Sequence, residues 1–193
     1  MEGDLRAGRY KVGERIGDPS GMGVVYRAHD ARLNCPVALK EIKPEHLGDP
    51  EFRRRLALEA IAAAAINHPG IARALDFMDD GAEVFIVYEF VEGVTLAKQL
   101  TQKRLTTEEI LDIGIKVADA LSAVHAKGFV HRDLKPANIM LANPTHAMVM
   151  DFGLASELRD GLTRVTHQTM SGTPAFMAPE QHAGVTTPLS DIY

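Results

Sequence analysis

The densest chemistry in this chain lies in residues 131–151, where Asp133, Asn138 and Asp151 follow one another within a short distance along the sequence. Asp133 is a potential proton acceptor. Asn138 and Asp151 are potential ligands for a hard cation, and oxygen donors of this type suit magnesium carried in by a polyphosphate. Residue types in this order are equipment for phosphoryl transfer.

These groups need elements that bring them together. Ile139-Met140-Leu141 and Ala147-Met148-Val149-Met150 read as two short strands joined by a turn at Asn143-Pro144. A hairpin returns its two ends to one place, so Asn138 and Asp151 can share one cation. Upstream, Thr106-Thr107-Glu108-Glu109 reads as a capping box, and Ile110, Ile113, Val117, Leu121 and Val124 recur at helical spacing. A long amphipathic helix over about 107–127 is expected to support the loop that follows Gly128. Strand-forming runs at 10–16, 24–28, 36–42, 71–77 and 84–91 predict a small antiparallel sheet, with a turn at Asp79-Asp80-Gly81. Asp49-Pro50-Glu51 starts a helix that runs through an alanine-rich stretch to about Ile66, with proline at its first position. The division into two parts is expected near Glu92-Gly93, giving 1–92 and 93–193.

Further motifs stand in a fixed order: a glycine-rich turn from Gly17 to Gly23, Val37-Ala38-Leu39-Lys40, Glu59, His68-Pro69, Glu89-Phe90-Val91, His131-Arg132-Asp133-Leu134-Lys135-Pro136-Ala137-Asn138, Asp151-Phe152-Gly153 and Ala178-Pro179-Glu180. At these residues the chain resembles the eukaryotic-like protein kinase family. The runs around Leu134-Lys135-Pro136 and Pro174-Ala175-Phe176-Met177 resemble its bacterial serine/threonine branch. The resemblance implies an α+β, bilobal protein-kinase-like fold, with an ATP-binding lobe in 1–92 and a partial, mainly helical catalytic lobe in 93–193. It implies ATP and Mg2+ as cofactors, and transfer of phosphate to serine and threonine hydroxyls of protein substrates.

The roles follow residue by residue. Ile16, Gly17, Gly21, Gly23, Val25, Ala38, Lys40, Glu59, Glu89, Val91 and Met140 would hold the nucleotide, with Lys40 on the α- and β-phosphates and fixed by Glu59. The Glu89 carbonyl and the Val91 N–H would meet the adenine edge, with Tyr88 guarding the pocket behind. Asp133 would orient the attacking hydroxyl, Lys135 would neutralise charge on the transferred group, and Asn138 and Asp151 would hold magnesium. Thr169, in the pattern Thr-x-x-Gly-Thr-Pro, is the expected loop phosphosite with Thr166 next, and Arg132 is its expected partner. One departure from the family stands out: the central glycine of the glycine-rich turn is missing, and Asp18-Pro19-Ser20 makes the turn one residue longer. Proline there removes a backbone donor, which weakens phosphate cradling.

Composition narrows the classes. The chain has 193 residues, 46% hydrophobic and 24% charged, with a net charge of −5 and a pI near 5.9, which disfavours nucleic acid and anionic lipid as partners. No apolar run reaches the length of a membrane span, and Met1-Glu2-Gly3-Asp4 lacks a signal peptide's regions, so a cytoplasmic location is expected. A single cysteine, Cys35, permits no internal disulfide. A kinase catalytic domain usually needs about 250 residues or more, near the upper end of single-domain sizes. A fragment of a longer product is therefore expected, with two copies pairing for autophosphorylation as a further expectation. An inactive, pseudokinase-like binding module would normally have lost Lys40, Asp133 or Asp151, and none is lost. A small-molecule phosphotransferase of the aminoglycoside-kinase type would lack the Ala-Pro-Glu and Gly-Thr-Pro segments.

Overall fold

The structure, a computed structural model, describes residues 5–17, 23–143, 146–151 and 173–193, apart from the side chains of Arg55, Glu59 and Ala62. The chain divides into two compact units, Met1–Ala65 with Ala72–Val91, and Ile66–Ile71 with Glu92–Tyr193.

In the first unit, β1 (Leu5–Arg6), β2 (Tyr10–Arg15), β3 (Gly23–Asp30), β4 (Cys35–Ile42), β5 (Ala74–Asp79) and β6 (Val84–Glu89) form one antiparallel sheet in the order β1-β2-β3-β4-β6-β5. Alternation along β4 explains its two faces. Val37 and Leu39 are fully buried in a core with Tyr10, Ala28, Phe85 and Val87, so Ala38 and Lys40 point the other way. Cys35 packs against the same core and fills space. The expected strand at 71–77 begins later, at Ala74. Ile71 instead makes a parallel bridge to Val149, and the Gly70 carbonyl accepts from the Val149 N–H at 2.8 Å, which draws this stretch into the second unit.

Helix α1 (Pro50–Ala64) starts where proline and the Asp49 cap predict, with Asp49 Oδ1 accepting from the Glu51 N–H at 2.9 Å. It ends two residues before Ile66. The turn between β5 and β6 is held by aspartates: Asp79 Oδ1 accepts from the Gly81 N–H, and Asp80 Oδ1 accepts from the Ala82 and Glu83 N–H groups. Donation from Glu83 first, then Ala82, lowers the Asp80 carboxyl below its ordinary value.

The sheet's rim carries an ionic network that sequence spacing does not announce. Arg9 donates from Nε and Nη2 to the buried Asp30 and from Nη1 to Asp76, and the Tyr10 hydroxyl donates to Asp76 at 2.7 Å. Burial, followed by the Asp76 contact, pushes the Tyr10 hydroxyl well up. The bond from Arg9, with added donation from the Arg32 and Leu33 N–H groups, pulls the Asp30 carboxyl from 3.8 to about 2. A depressed carboxyl contributes stability that is complete above its unfolded value and disappears as pH falls through the folded one. Acid unfolding should therefore show a loss between about 3.8 and 2 that Asp30→Asn removes. Equal acid profiles in the two proteins would exclude this contribution.

The second unit holds β7 (Val94–Thr95), β8 (Ile139–Asn143) and β9 (His146–Val149) in one sheet, with helices α2 (Leu96–Gln102), α3 (Thr107–Ala126) and α4 (Pro179–His182). The capping box forms as read: the Glu109 N–H donates to Thr106 Oγ1 at 3.2 Å, and the Thr106 N–H donates to Glu109 Oε2 at 2.8 Å. The buried face of α3 is Ile113, Val117, Ala120, Leu121 and Val124. Ile110 is exposed, which corrects the expected stripe. It sits in the first turn, ahead of the part of the helix that packs, and Ala120 supplies the remaining buried position. Gly93 is required by packing, since a Cβ there would lie 2.2 Å from the Leu141 carbonyl oxygen. Among the described residues no helix is long and apolar enough to cross a membrane.

Candidate active site

The loop after α3 is built around a buried carboxylate. Asp191, in a short 3-10 turn (Pro188–Asp191), is 5% exposed. Its Oδ2 accepts from the His131 N–H and its Oδ1 from the Arg132 N–H, each at 2.8 Å. His125, in the last turn of α3, meets Oδ2 through Nε2 at 2.7 Å. Two consecutive backbone donors fixed on one carboxylate hold Arg132 at φ +69°, in the left-handed region that a residue with a side chain enters only when its surroundings impose it. His131, 1% exposed, accepts from the Asp133 N–H at Nδ1, and this leaves Nε2 to donate to the Met150 carbonyl at 3.0 Å.

Asp133 lies in the middle of this frame with both carboxylate oxygens engaged. Oδ2 accepts from Lys135 Nζ at 2.7 Å and from Asn138 Nδ2 at 3.2 Å. Oδ1 accepts from the Thr173 N–H at 2.9 Å and from its hydroxyl at 3.0 Å. Lys135 Nζ also donates to Thr173 Oγ1 at 2.6 Å, so Lys135, Thr173 and Asp133 close a ring of bonds. The sequence marks Thr173 only as part of the Gly-Thr-Pro segment. The available signal was its place one residue before Pro174, which keeps its backbone extended and its N–H available.

The expected hairpin forms, with Ile139 opposite Val149 and Met140 opposite Met148. Met150 lies just beyond β9, not within it, and its N–H donates to the Asn138 carbonyl at 2.8 Å. That bond brings the start of β8 next to the residue before Asp151, as a hairpin requires. Asn138 Nδ2 donates to the Asp133 carbonyl at 2.8 Å, so its amide nitrogen is turned inward and Oδ1 is the atom left to accept. Asp151 is at φ +61°. These oxygens suit a hard cation. Among the described residues, no group of three or more His, Cys, Asp and Glu side chains is gathered as a softer metal would need.

In the first unit, Val25 stands opposite Lys40 and Arg27 opposite Ala38 across β3 and β4. Val25, Ala38 and Lys40 thus share the face away from the core. The Ile16 N–H donates to the Val25 carbonyl at 3.0 Å, and a Cβ on Gly17 would lie 3.3 Å from Val25 Cβ. Gly23 has a packing reason of its own: a Cβ there would sit 2.6 Å from the Glu41 carbonyl oxygen. Glu89 at the end of β6 is tied to Arg73 by its backbone N–H and by Oε1, which accepts from the Arg73 N–H. Val91 is half-buried after it, and Met140 is half-buried on β8. Gly21, Phe152, Gly153, Thr166 and Thr169 lie outside the described residues, as does the side chain of Glu59.

Comparison with known proteins follows the same residues. The protein kinase domain family matches residues 10–193. This chain belongs to the protein kinase domain family. It is 39% identical over 193 residues to a probable serine/threonine-protein kinase of Streptomyces coelicolor, covering 96% of this chain and 28% of that protein. It is 38% identical over 194 residues to the serine/threonine-protein kinase PknA of Mycobacterium tuberculosis, covering 97% of this chain and 44% of that protein. Among solved structures, it matches the crystal structure of the M. tuberculosis PknI kinase domain with a TM-score of 0.79 and 31% identity, covering all of this chain and 71% of that one. The chain spans less than half the length of these curated relatives. The α+β fold of the two units agrees with the kinase-domain neighbours. Within the kinase family's Ala-Pro-Glu motif, Glu180 accepts from the Ser190 hydroxyl at 2.6 Å, which lowers its carboxyl below the ordinary value. Gln181 ties the same segment to the loop, its Nε2 donating to the Arg132 carbonyl at 2.9 Å.

Proposed function

We propose that this chain transfers the terminal phosphoryl group of Mg-ATP to serine and threonine hydroxyls of protein substrates. The observation that carries this reading is the Asp133 carboxylate, oriented by Lys135, Asn138 and Thr173 beside the hairpin end that carries Asp151. Asp133 accepts a hydrogen bond from the incoming hydroxyl in the place that the Thr173 hydroxyl now takes on Oδ1, and the Lys135 and Asn138 donors on Oδ2 keep its aim. Lys135 carries the positive charge that balances charge on the transferred group. Asn138 and Asp151 hold magnesium, which supplies neutralisation of the polyphosphate. Lys40, projecting from the β4 face that also carries Ala38 opposite Arg27 and Val25 on the adjacent strand, binds the α- and β-phosphates. Glu59 on α1 fixes it. Glu89 and Val91 offer backbone groups to adenine, with Ile16, Gly17, Gly21, Gly23, Val25, Ala38 and Met140 bordering the nucleotide.

On this reading the first unit is the nucleotide-holding lobe and the second the catalytic lobe. Thr169, then Thr166, takes the regulatory phosphate, with Arg132 as its partner. The cytoplasm, with its ATP, is the compartment that suits this chemistry. The test is transfer of labelled terminal phosphate from Mg-ATP to matched peptides carrying serine, threonine or tyrosine. Incorporation into serine and threonine but not tyrosine is expected, in line with the serine/threonine-protein kinases to which the chain is similar. Equal labelling of tyrosine, or none of any peptide, contradicts the reading.

A further inference from the structure

The outward face of β2, β3 and β4 gathers Lys11, Arg27 and His29 in a chain whose net charge is −5. Lys11 stands opposite His29, and His29 opposite Pro36, in one row across the three strands. Arg27 lies on the same face, two residues before His29. A groove of about 530 Å³ is lined by Lys11, Val12, Gly13, Arg27, Ala28 and His29, together with Pro36, and none of these is acidic. Asp30, the nearest carboxylate along β3, points to the opposite face and is consumed by Arg9. Glu89 on β6 pairs with Val37, also on the opposite face.

Three features make the groove more than a charged surface. Its floor has no side chain at Gly13, where a Cβ would lie 2.8 Å from the Arg27 carbonyl oxygen, so the depression is required by strand packing. The Arg27 guanidinium is set over the Phe90 ring at 4.9 Å, and this stacking fixes its plane while its N–H edge remains a donor. His29 is oriented by a bond between Nε2 and Asn34 Oδ1 at 3.0 Å. Arg27 and Lys11 thus present one planar fork and one ammonium, with the His29 ring between their strand positions.

We infer that this groove binds the phosphorylated serine or threonine of an extended peptide segment from a partner protein. A phosphate bears close to two negative charges and three acceptor oxygens, and it pairs with a fixed guanidinium and an ammonium together better than a single carboxylate does. Strands about 4.8 Å apart make the three-stranded floor roughly 10 Å wide, which fits an extended segment. The source of the phosphate rests on the proposed function, since phosphoserine and phosphothreonine are the products of that reaction. Binding itself does not depend on turnover. A kinase with such a groove favours proteins that already carry one phosphate.

The experiment is fluorescence anisotropy of a short labelled phosphothreonine peptide titrated with the full chain, beside its unphosphorylated twin and its glutamate twin, with and without Mg-ATP. The phosphopeptide is expected to bind about tenfold more tightly than either twin, the scale of one charge-assisted bond. Arg27→Ala and Lys11→Ala should each remove most of that preference, and Lys40→Met should retain it. Thermal melts of the two surface variants check that both remain folded. Equal binding of the three peptides, an undiminished preference in the double variant, or displacement of the phosphopeptide by Mg-ATP overturns the assignment. Preference shown by an unaltered chain that transfers no phosphate to any peptide would overturn the proposed activity and leave the groove standing.

Discussion

Asp133→Asn is expected to lower peptide phosphorylation by roughly 10³-fold, the scale of losing an oriented acid–base group. Asparagine keeps the shape of the carboxylate but replaces one oxygen with an NH2. Either orientation then fails: turned one way, the NH2 faces Lys135 Nζ and Asn138 Nδ2, and turned the other, it faces the Thr173 N–H. Donor meets donor, and the loop loses its aim at the substrate hydroxyl. Mg-ATP affinity should change by no more than about twofold, because an interaction made during transfer alters turnover and not ground-state binding. Steady-state kinetics at saturating and limiting ATP separate the two. Turnover within a factor of ten of the unaltered chain would remove Asp133 from the mechanism.

The second large effect concerns stability. Asp191 accepts from two backbone N–H groups and meets His125, and it is nearly inaccessible to solvent. Asp191→Ala leaves one buried and two partly buried donors without their acceptor, at about 1–3 kcal/mol for each group left unsatisfied, with the partly buried ones at the low end. Together that is a large part of a domain's typical stability of about 5–15 kcal/mol. Asp191→Asn retains one carbonyl acceptor and should cost clearly less. Urea unfolding of the three proteins reads the difference directly. Asp191→Ala and the unaltered chain unfolding at the same midpoint would show that the loop is held by other contacts.

Local signals in the sequence were read well where the interaction is local. Thr106 and Glu109 are three residues apart and satisfy each other's N–H groups, so α3 begins where the capping box says. The pairing of β8 with β9 followed from strand propensity on both sides of a short turn. The family resemblance rested on residue types that backbone geometry forces into a fixed order, and the kinase-domain match over residues 10–193 agrees with it. Contacts between distant residues were the ones missed. Asp191 reaches its partners sixty residues upstream, and no pattern around Ser190-Asp191-Ile192 announces three donors. Thr173 gains its place by meeting Asp133 and Lys135 across some forty residues. Ile110 fits the helical period but is exposed on the first turn of α3, so period alone overstates the core. Ile71 has strand-forming residues around it, yet its bridge to Val149 won over pairing with β6. Gly23 and Gly93 are glycines for steric reasons set by strands far away in sequence, Glu41 and Leu141.

The most direct test of a phosphoryl-transfer site in this chain is calorimetric titration with ATP, with and without magnesium, for the unaltered chain, Lys40→Met and Asp151→Asn. One nucleotide should bind per chain, more tightly with magnesium. Lys40→Met should weaken binding by about tenfold, the scale of one charge-assisted phosphate contact. Asp151→Asn should bind ATP equally with and without the metal. Magnesium-dependent affinities that are identical in all three proteins would contradict the account.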